Sequence, residues 1–300
     1  MIKIIDLGFI GQPEAIASFL IETSEGPVLV ETGPHSTLPN LEAGLKKNGY
    51  ELADVKHVFL THIHLDHAGA AWYFAKLGAN IYLHPMGQRH MADPSRLMES
   101  AKRIYKDEMD RLWGRMESIS ADKLIPTENG ATITIGDTNF QAWHTPGHAI
   151  HHIAWQVGST LFAGDVAGVK IRQYAVMPPC PPPDINIEDW QTSIQKIKTL
   201  DLSTIYLTHY GEITDIDNHL DELERILLDW SQWMKPFYEA KADPKKVTPL
   251  FQEYVAGQLK AGEIDELGLQ QYEAANPSWM SVAGLMIYWR KKEEREAQKS

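Results

Sequence analysis

Over its first two thirds the chain alternates short apolar runs with amphipathic stretches, and beyond that it settles into helical spacing. Residues 17–21 and 28–31 read as paired strands about the turn-forming Ser24-Glu25-Gly26-Pro27. Leu38, Leu41 and Leu45 share one helical face in residues 38–48, and Gly49 stops that helix. Residues 55–60 and 79–83 read as buried strands, with a helix over 70–76 between them. In residues 94–119 strand signals vanish. Leu97, Ala101, Ile104, Met109, Leu112 and Met116 fall three to five positions apart among charges, which predicts one long helical stretch. Short strands return at 132–135, 140–144, 153–157 and 161–163, with turns at Gly130, Gly136-Asp137 and Gly158-Ser159. A helix over 187–200 leads into a strand at 204–208, and from Ile216 onward the chain reads as helical, with Trp230, Trp233, Phe237 and Tyr238 as packing residues. Strands with a helix, then strands with a helix again, point to two similar halves packed sheet on sheet.

Length adds that 300 residues form one large domain, or one domain with a helical extension. The net charge of −12, from 28 basic and 40 acidic side chains, repels phosphate backbones and argues against a nucleic-acid partner. The one basic cluster, Arg290-Lys291-Lys292, runs into Glu293, Glu294 and Glu296 and reads as a solvated helix end. A single cysteine, Cys180, allows no intrachain disulfide and fits a reducing compartment; set among Pro178, Pro179 and Pro181, it reads as a packing residue. No apolar run approaches the ~18–20 residues that cross a bilayer, and the N-terminus lacks a secretion pattern. The expectation is a cytoplasmic protein with no membrane partner.

The chemistry concentrates where residues 55–60 end, in Thr61-His62-Ile63-His64-Leu65-Asp66-His67-Ala68-Gly69. His62 and His64 alternate, so an extended segment presents both imidazoles on one side. Asp66 and His67 are adjacent, so their side chains diverge and suit a second ion beside the first. Imidazole and carboxylate without thiolate favour zinc, iron or manganese over magnesium or calcium. Further along, His148 follows the strand at 140–144, Asp165 follows that at 161–163 and His209 follows that at 204–208. Strand after strand finishes in a metal-type ligand.

These residues resemble the metallo-β-lactamase superfamily, in the branch of glyoxalase II and the lactonases, over about residues 1 to 215. The motifs that carry the resemblance are Thr61 to Gly69, Thr145 to His148, Gly164-Asp165 and His209, in family order. It implies an α/β fold, the αββα sandwich, with the site at one edge, a catalytic domain over 1–215 with a helical insertion at about 86–120, and a helical extension over 216–300. It implies that His62, His64 and His148 hold one metal, that Asp66, His67 and His209 hold a second, and that Asp165 bridges them. Two cations sharing one hydroxide would then supply the nucleophile without a protein base, for hydrolysis of a small carbonyl or phosphate ester-type substrate. Asp66 is the candidate to orient that hydroxide and carry a proton to the leaving group, and Tyr210 to donate to a developing oxyanion. A mononuclear iron persulfide dioxygenase keeps much the same ligand set and is the alternative. Where many members carry Asp-Thr-Gly, this chain has Glu31-Thr32-Gly33, and Glu31 is expected to support a ligand rather than bind metal.

Among the remaining histidines, His84 is a candidate to support a ligand and His35 to touch substrate, while His144, His151 and His152 read as packing or surface residues. The inserted stretch, with Arg103, Tyr105 and Trp113, and the proline loop over 177–183 are candidate pocket walls. The apolar residues of the extension must pack on the catalytic domain, on themselves or on a second chain, which leaves a homodimer open.

Overall fold

The computed structural model describes residues 1–260 and 262–298. Six strands, β1 (Ile2–Asp6), β2 (Ala17–Thr23), β3 (Gly26–Val30), β4 (His57–Phe59), β5 (Asn80–Leu83) and β6 (Leu124–Pro126), lie side by side in chain order. The first three are antiparallel and the last three continue parallel from β3. The second sheet places β7 (Thr132–Ile135), β8 (Thr138–His144), β9 (Ile153–Val157), β10 (Thr160–Phe162), β11 (Thr204–Leu207) and β12 (Gly211–Ile213) in sequence, antiparallel except for β10 beside β11.

The side-chain period of two explains why these strands read as almost continuously apolar. Phe19, Ile21, Val28 and Val30 meet Phe140, Trp155 and Phe162 between the sheets. Their neighbours Leu20, Leu29 and Val58 face a second core under the helices α1 (Leu38–Lys47) and α3 (Ala71–Lys76). Phe59 stacks on Phe140 with centroids 4.1 Å apart and meets Trp155 edge-on at 4.9 Å, which locks sheet to sheet. Each large side chain buried here contributes ~1.5–3 kcal/mol. The outer face of the second sheet is covered by α7 (Ile187–Lys198), α8 (Ile216–Glu239), α9 (Pro244–Lys260), α10 (Glu266–Ala275) and α11 (Ser278–Ala297). Leu161 and Ile205 of the sheet share one continuous core with Trp190, Leu223, Trp230, Phe251 and Leu285 of these helices. The architecture is the αββα sandwich with a C-terminal helical region.

The structure differs from the sequence expectation in two respects. β1, β6 and β12 had no separate signal, being short strands at or near the sheet edges. The long helix expected over 94–119 is instead broken. After α4 (Pro85–Ala92), Pro94 disfavours helix at Asp93, and α5 (Ser95–Tyr105) begins beyond it. Lys106, at φ +49°, ends α5, and only the single turn of α6 (Met109–Leu112) follows. Three-to-five spacing survives such breaks because each fragment still needs one buried face.

Candidate metal centre

Every candidate ligand lies at the C-terminal end of a strand, on one rim of the sandwich. Past β4 the chain stays extended through His64 and then turns into the short helix α2 (Leu65–Ala68), which carries Asp66 and His67. His148 lies in the loop between β8 and β9, Asp165 in a single helical turn after β10 (Gly164–Ala167), and His209 two residues past β11. Gly164 has φ +51°, and a Cβ there would lie 2.5 Å from Thr61 Oγ1 and 2.8 Å from His152 Nε2. Only glycine lets Asp165 approach this closely.

Three groups of ligand atoms result, the atoms of each lying within 4.8 Å of one another: His62, His64 and His148; His62, His67 and Asp165; Asp66, His67 and His209. Asp165 stands between the other two groups. Its Oδ2 is 3.3 Å from His148 Nε2, and its Oδ1 is 3.3 Å from His67 Nε2 and 3.5 Å from His209 Nε2. Asp66 Oδ2 lies 3.5 Å from His209 Nε2 and 3.7 Å from His67 Nε2.

Backbone carbonyls decide which imidazole nitrogens face inward. His148 Nδ1–H donates to the Pro179 carbonyl at 2.8 Å, and His209 Nδ1–H donates to that of Ala15 at 2.7 Å. Carbonyls only accept, so a neutral ring in either place turns a bare Nε2 into the site. Thr61 Oγ1 holds His62 Nδ1 at 3.0 Å, and His62 Nε2 and His148 Nε2 lie 2.9 and 3.1 Å from His64 Nδ1. Glu31 is fully buried at φ +67°; its Oε1 accepts from the Thr61 backbone at 3.1 Å and its Oε2 lies 3.4 Å from His67 Nδ1. The extra methylene relative to aspartate therefore does not keep this acid from the ligand segment. A left-handed backbone at a buried glutamate is uncommon, and here it aims the carboxylate.

A divalent cation pair fits these residues. His67 Nδ1 and Nε2, Asp165 Oδ1, His209 Nε2 and Glu31 Oε2 are buried with no hydrogen-bond partner. Each such atom costs on the order of 1–3 kcal/mol if nothing satisfies it. Burial, and then His67, His64 and His148 nearby, depress the His62 pKa well below its ordinary value. Burial and His148 bring that of His64 to about 3, so both offer lone pairs at neutral pH. Burial opposes a charge on His67, but Asp165, Asp66 and Glu31 around it push its pKa well up. That is the field of carboxylates arranged for positive charge.

The site opens into a cavity of about 680 Å³. His64, Asp66, Asp165 and His151 line it at the site; α5 contributes Arg96, Ile104 and Tyr105, the end of α6 Trp113, the proline loop Pro179 and Pro181, and the C-terminal region Ala275, Trp279 and Met280. Tyr105 packs against Trp113 at 5.2 Å and Trp279 at 5.8 Å, and its hydroxyl donates to Met280 Sδ at 3.2 Å. The segment from α5 to Trp113 and the start of α11 thus meet beside the site.

The expected candidates fall out unevenly. The seven proposed ligands come together, and Asp66 lines the cavity. Tyr210 is not among the lining residues: its ring packs against the side chains of the sheet cores, under the influence of Asp6 and Glu14, so the expected oxyanion donor is not placed in the cavity. His35 stacks on Trp72 at 5.1 Å, and His84 accepts from the Met86 backbone as the cap of α4 rather than backing a ligand. His151 and His152 prove more than packing residues. His152 Nδ1 lies 2.8 Å from Thr145 Oγ1 and its ring lies against His62, while buried His151 lines the cavity with an unpartnered Nδ1. The segment around Phe9 and Ile10 and the start of α11 at Trp279 and Met280 also line it, and no sequence pattern marks them, because they arrive from opposite ends of the chain.

The archaeal metallo-beta-lactamase fold-containing protein ST1585 of Sulfurisphaera tokodaii is 25% identical over 178 residues, 57% of this chain and 67% of that protein. The probable metallo-hydrolase YqjP of Bacillus subtilis is 22% identical over 68% of this chain and 70% of its own. The crystal structure of the metallo-beta-lactamase family protein TTHA1429 from Thermus thermophilus superposes with a TM-score of 0.69, covering 97% of this chain and 94% of that one at 20% identity. That likeness extends the shared fold through the C-terminal helices. The sequence profile of the Metallo-beta-lactamase superfamily matches residues 11–209, a span that holds all seven clustered histidines and aspartates, and the chain belongs to that superfamily.

Proposed function

We propose that this protein is a metal-dependent hydrolase that cleaves a carbonyl or phosphate ester-type bond in a small molecule with two divalent cations, zinc before iron or manganese. In this reading residues 1–215 are the catalytic domain and 216–300 a helical extension that completes the pocket. His62, His64 and His148 would hold one cation and Asp66, His67 and His209 the other, with Asp165 offering an oxygen to each group. The observation that carries the reading is the position of Asp165, whose two oxygens face histidines of both groups at 3.3–3.5 Å. Bound together, two such cations lower the pKa of water toward neutrality, polarise the substrate oxygen and steady the leaving group.

The chain's own residues supply the rest. Asp66 keeps 22% of its side chain exposed, against 4% for Asp165, so it is the carboxylate that substrate reaches. Burial would raise its pKa, but His67 and His209 hold it at about 2, so it enters the reaction ionised and able to take a proton and pass it to the leaving group. Tyr105, Trp113 and Trp279 line the cavity above it with packed aromatic surface.

A panel of thioester, lactone, β-lactam and phosphodiester substrates with metal-loaded protein tests the proposal. One class should be turned over, and Asp66→Asn should lower its kcat by about 10²- to 10⁴-fold. Loaded protein that turns over none of the four, or a single persistent iron with oxygen uptake on a persulfide, would overturn it.

A further inference from the structure

Among the described residues nine large apolar side chains are exposed, and four of them, Ile10, Met86, Ile104 and Ile150, line the same cavity. They come from four separate segments: the turn after β1, α4, α5 and the loop after His148. Scattered exposed apolar residues need no explanation, but convergence on one opening does. Deeper in, the wall stays apolar through Ile63, Leu97, Ala101 and Trp113 until it reaches His64 and Asp66.

The same opening carries Arg89 and Arg96, both exposed on consecutive helices. Among the described residues neither makes an ion pair; Arg89 Nε instead meets His90 Nε2 at 3.1 Å. Besides Asp66 and Asp165 at the metal centre, two further acids line the cavity. Glu273 is engaged with Ser278 Oγ at 2.8 Å and Gln252 Nε2 at 3.2 Å, and Asp184 sits in the field of Lys291, His148 and His90. The two guanidiniums are thus the cations at the opening that no ion pair neutralises, with the carboxylate of Asp184 also unpaired there, in a protein of net charge −12.

We infer that the substrate is an amphipathic anion: its scissile carbonyl lies at the metal centre, an extended aliphatic segment fills the cavity, and a terminal carboxylate or phosphate meets Arg89 and Arg96. This rests on the hydrolase reading and names its substrate class. Apolar contact supplies affinity in proportion to chain length, and the arginines supply preference for the charged end.

The test uses binding, so that it stands even if the bond cleaved has been misassigned. Octanamide and suberic acid monoamide place the same amide at the centre and differ by a terminal carboxylate; acetamide and butanamide supply the short end of the series. Calorimetric titration of the metal-loaded protein should show affinity rising about two- to fourfold per methylene from butanamide to octanamide. Suberic monoamide should bind tenfold or more above octanamide, and Arg89→Ala/Arg96→Ala should bring that ratio near one. Arg89→Lys/Arg96→Lys should keep part of it. Affinity flat with chain length would overturn the apolar segment. A carboxylate preference unchanged in the double alanine variant would place the anion on the metal centre and overturn the arginine assignment. Failure of the hydrolase reading alone would show as normal binding series with no turnover of the matching p-nitrophenyl esters.

Discussion

At the scale of single residues, Asp165 holds the central position, with its two oxygens 3.3–3.5 Å from the imidazoles of His67, His148 and His209. His62, His64, Asp66 and His67 fall within six positions, and the strand-end placement of His148, Asp165 and His209 follows from where the apolar runs stop. Supporting contacts were not legible, because they depend on backbone carbonyls such as those of Pro179 and Ala15, and a carbonyl has no letter in the sequence. The aromatic donor fell to the same limit: adjacency to His209 suggested Tyr210, but the chain turns there after β11, and adjacency in a turn does not fix which way a side chain faces. Asp165→Ala removes the one carboxylate that faces both ligand groups. It should lower metal content and turnover more than Glu31→Ala, which should weaken metal binding about 10- to 100-fold. Metal analysis after dialysis against a mild chelator measures both, and equal losses would show that Asp165 does no more than a supporting acid.

At the scale of elements, the C-terminal helices reach the site through the proline loop. Gly284 of α11 packs so closely that a Cβ there would lie 1.9 Å from the Cys180 carbonyl oxygen, and Ser281 Oγ accepts from the Cys180 backbone at 3.3 Å. The preceding residue, Pro179, accepts from His148 Nδ1. Cys180 itself is fully buried with its thiol pKa pushed up by burial, which makes it a packing residue. Gly284→Ala must therefore move the loop, and with it the carbonyl that orients His148. We expect metal affinity to fall about tenfold at a site some distance from the substitution, read by competition with a fluorescent zinc chelator. Unchanged affinity in a folded Gly284→Ala protein would break that chain of contacts. Helical content past Ile216 was plain from the sequence, whereas its path back to the cavity was not. Periodicity gives the buried face of a helix and says nothing of which surface will cover it.

For the whole molecule, two sheets with cores on both faces account for the apolar strands, and the shared core beneath α7 to α11 ties the C-terminal region to the second sheet. The same burial makes stability depend on pH. His219 on α8 is buried, donates from Nε2 to the Ala167 carbonyl at 2.8 Å and leaves Nδ1 unpartnered; burial brings its pKa to about 4. Burial and then His144 bring that of His84 to about 4 as well. Both rings are neutral in the folded chain and protonated in the unfolded chain between these values and about 6.5. Stability is then fully present above pH ~6.5 and is lost as pH falls toward 4, by on the order of 2–3 kcal/mol from His219. Urea unfolding at pH 7, 6 and 5 should show the midpoint falling, less steeply in His219→Gln; a midpoint independent of pH would contradict the assignment. The central claim is narrower, that two cations bridged by Asp165 make this a hydrolase. Its most direct test is stepwise zinc addition to metal-free protein, following bound metal and turnover of the best panel substrate in the same samples. Activity should rise until about two ions per chain are bound and then level off, whereas full activity at one ion per chain would contradict a two-cation centre.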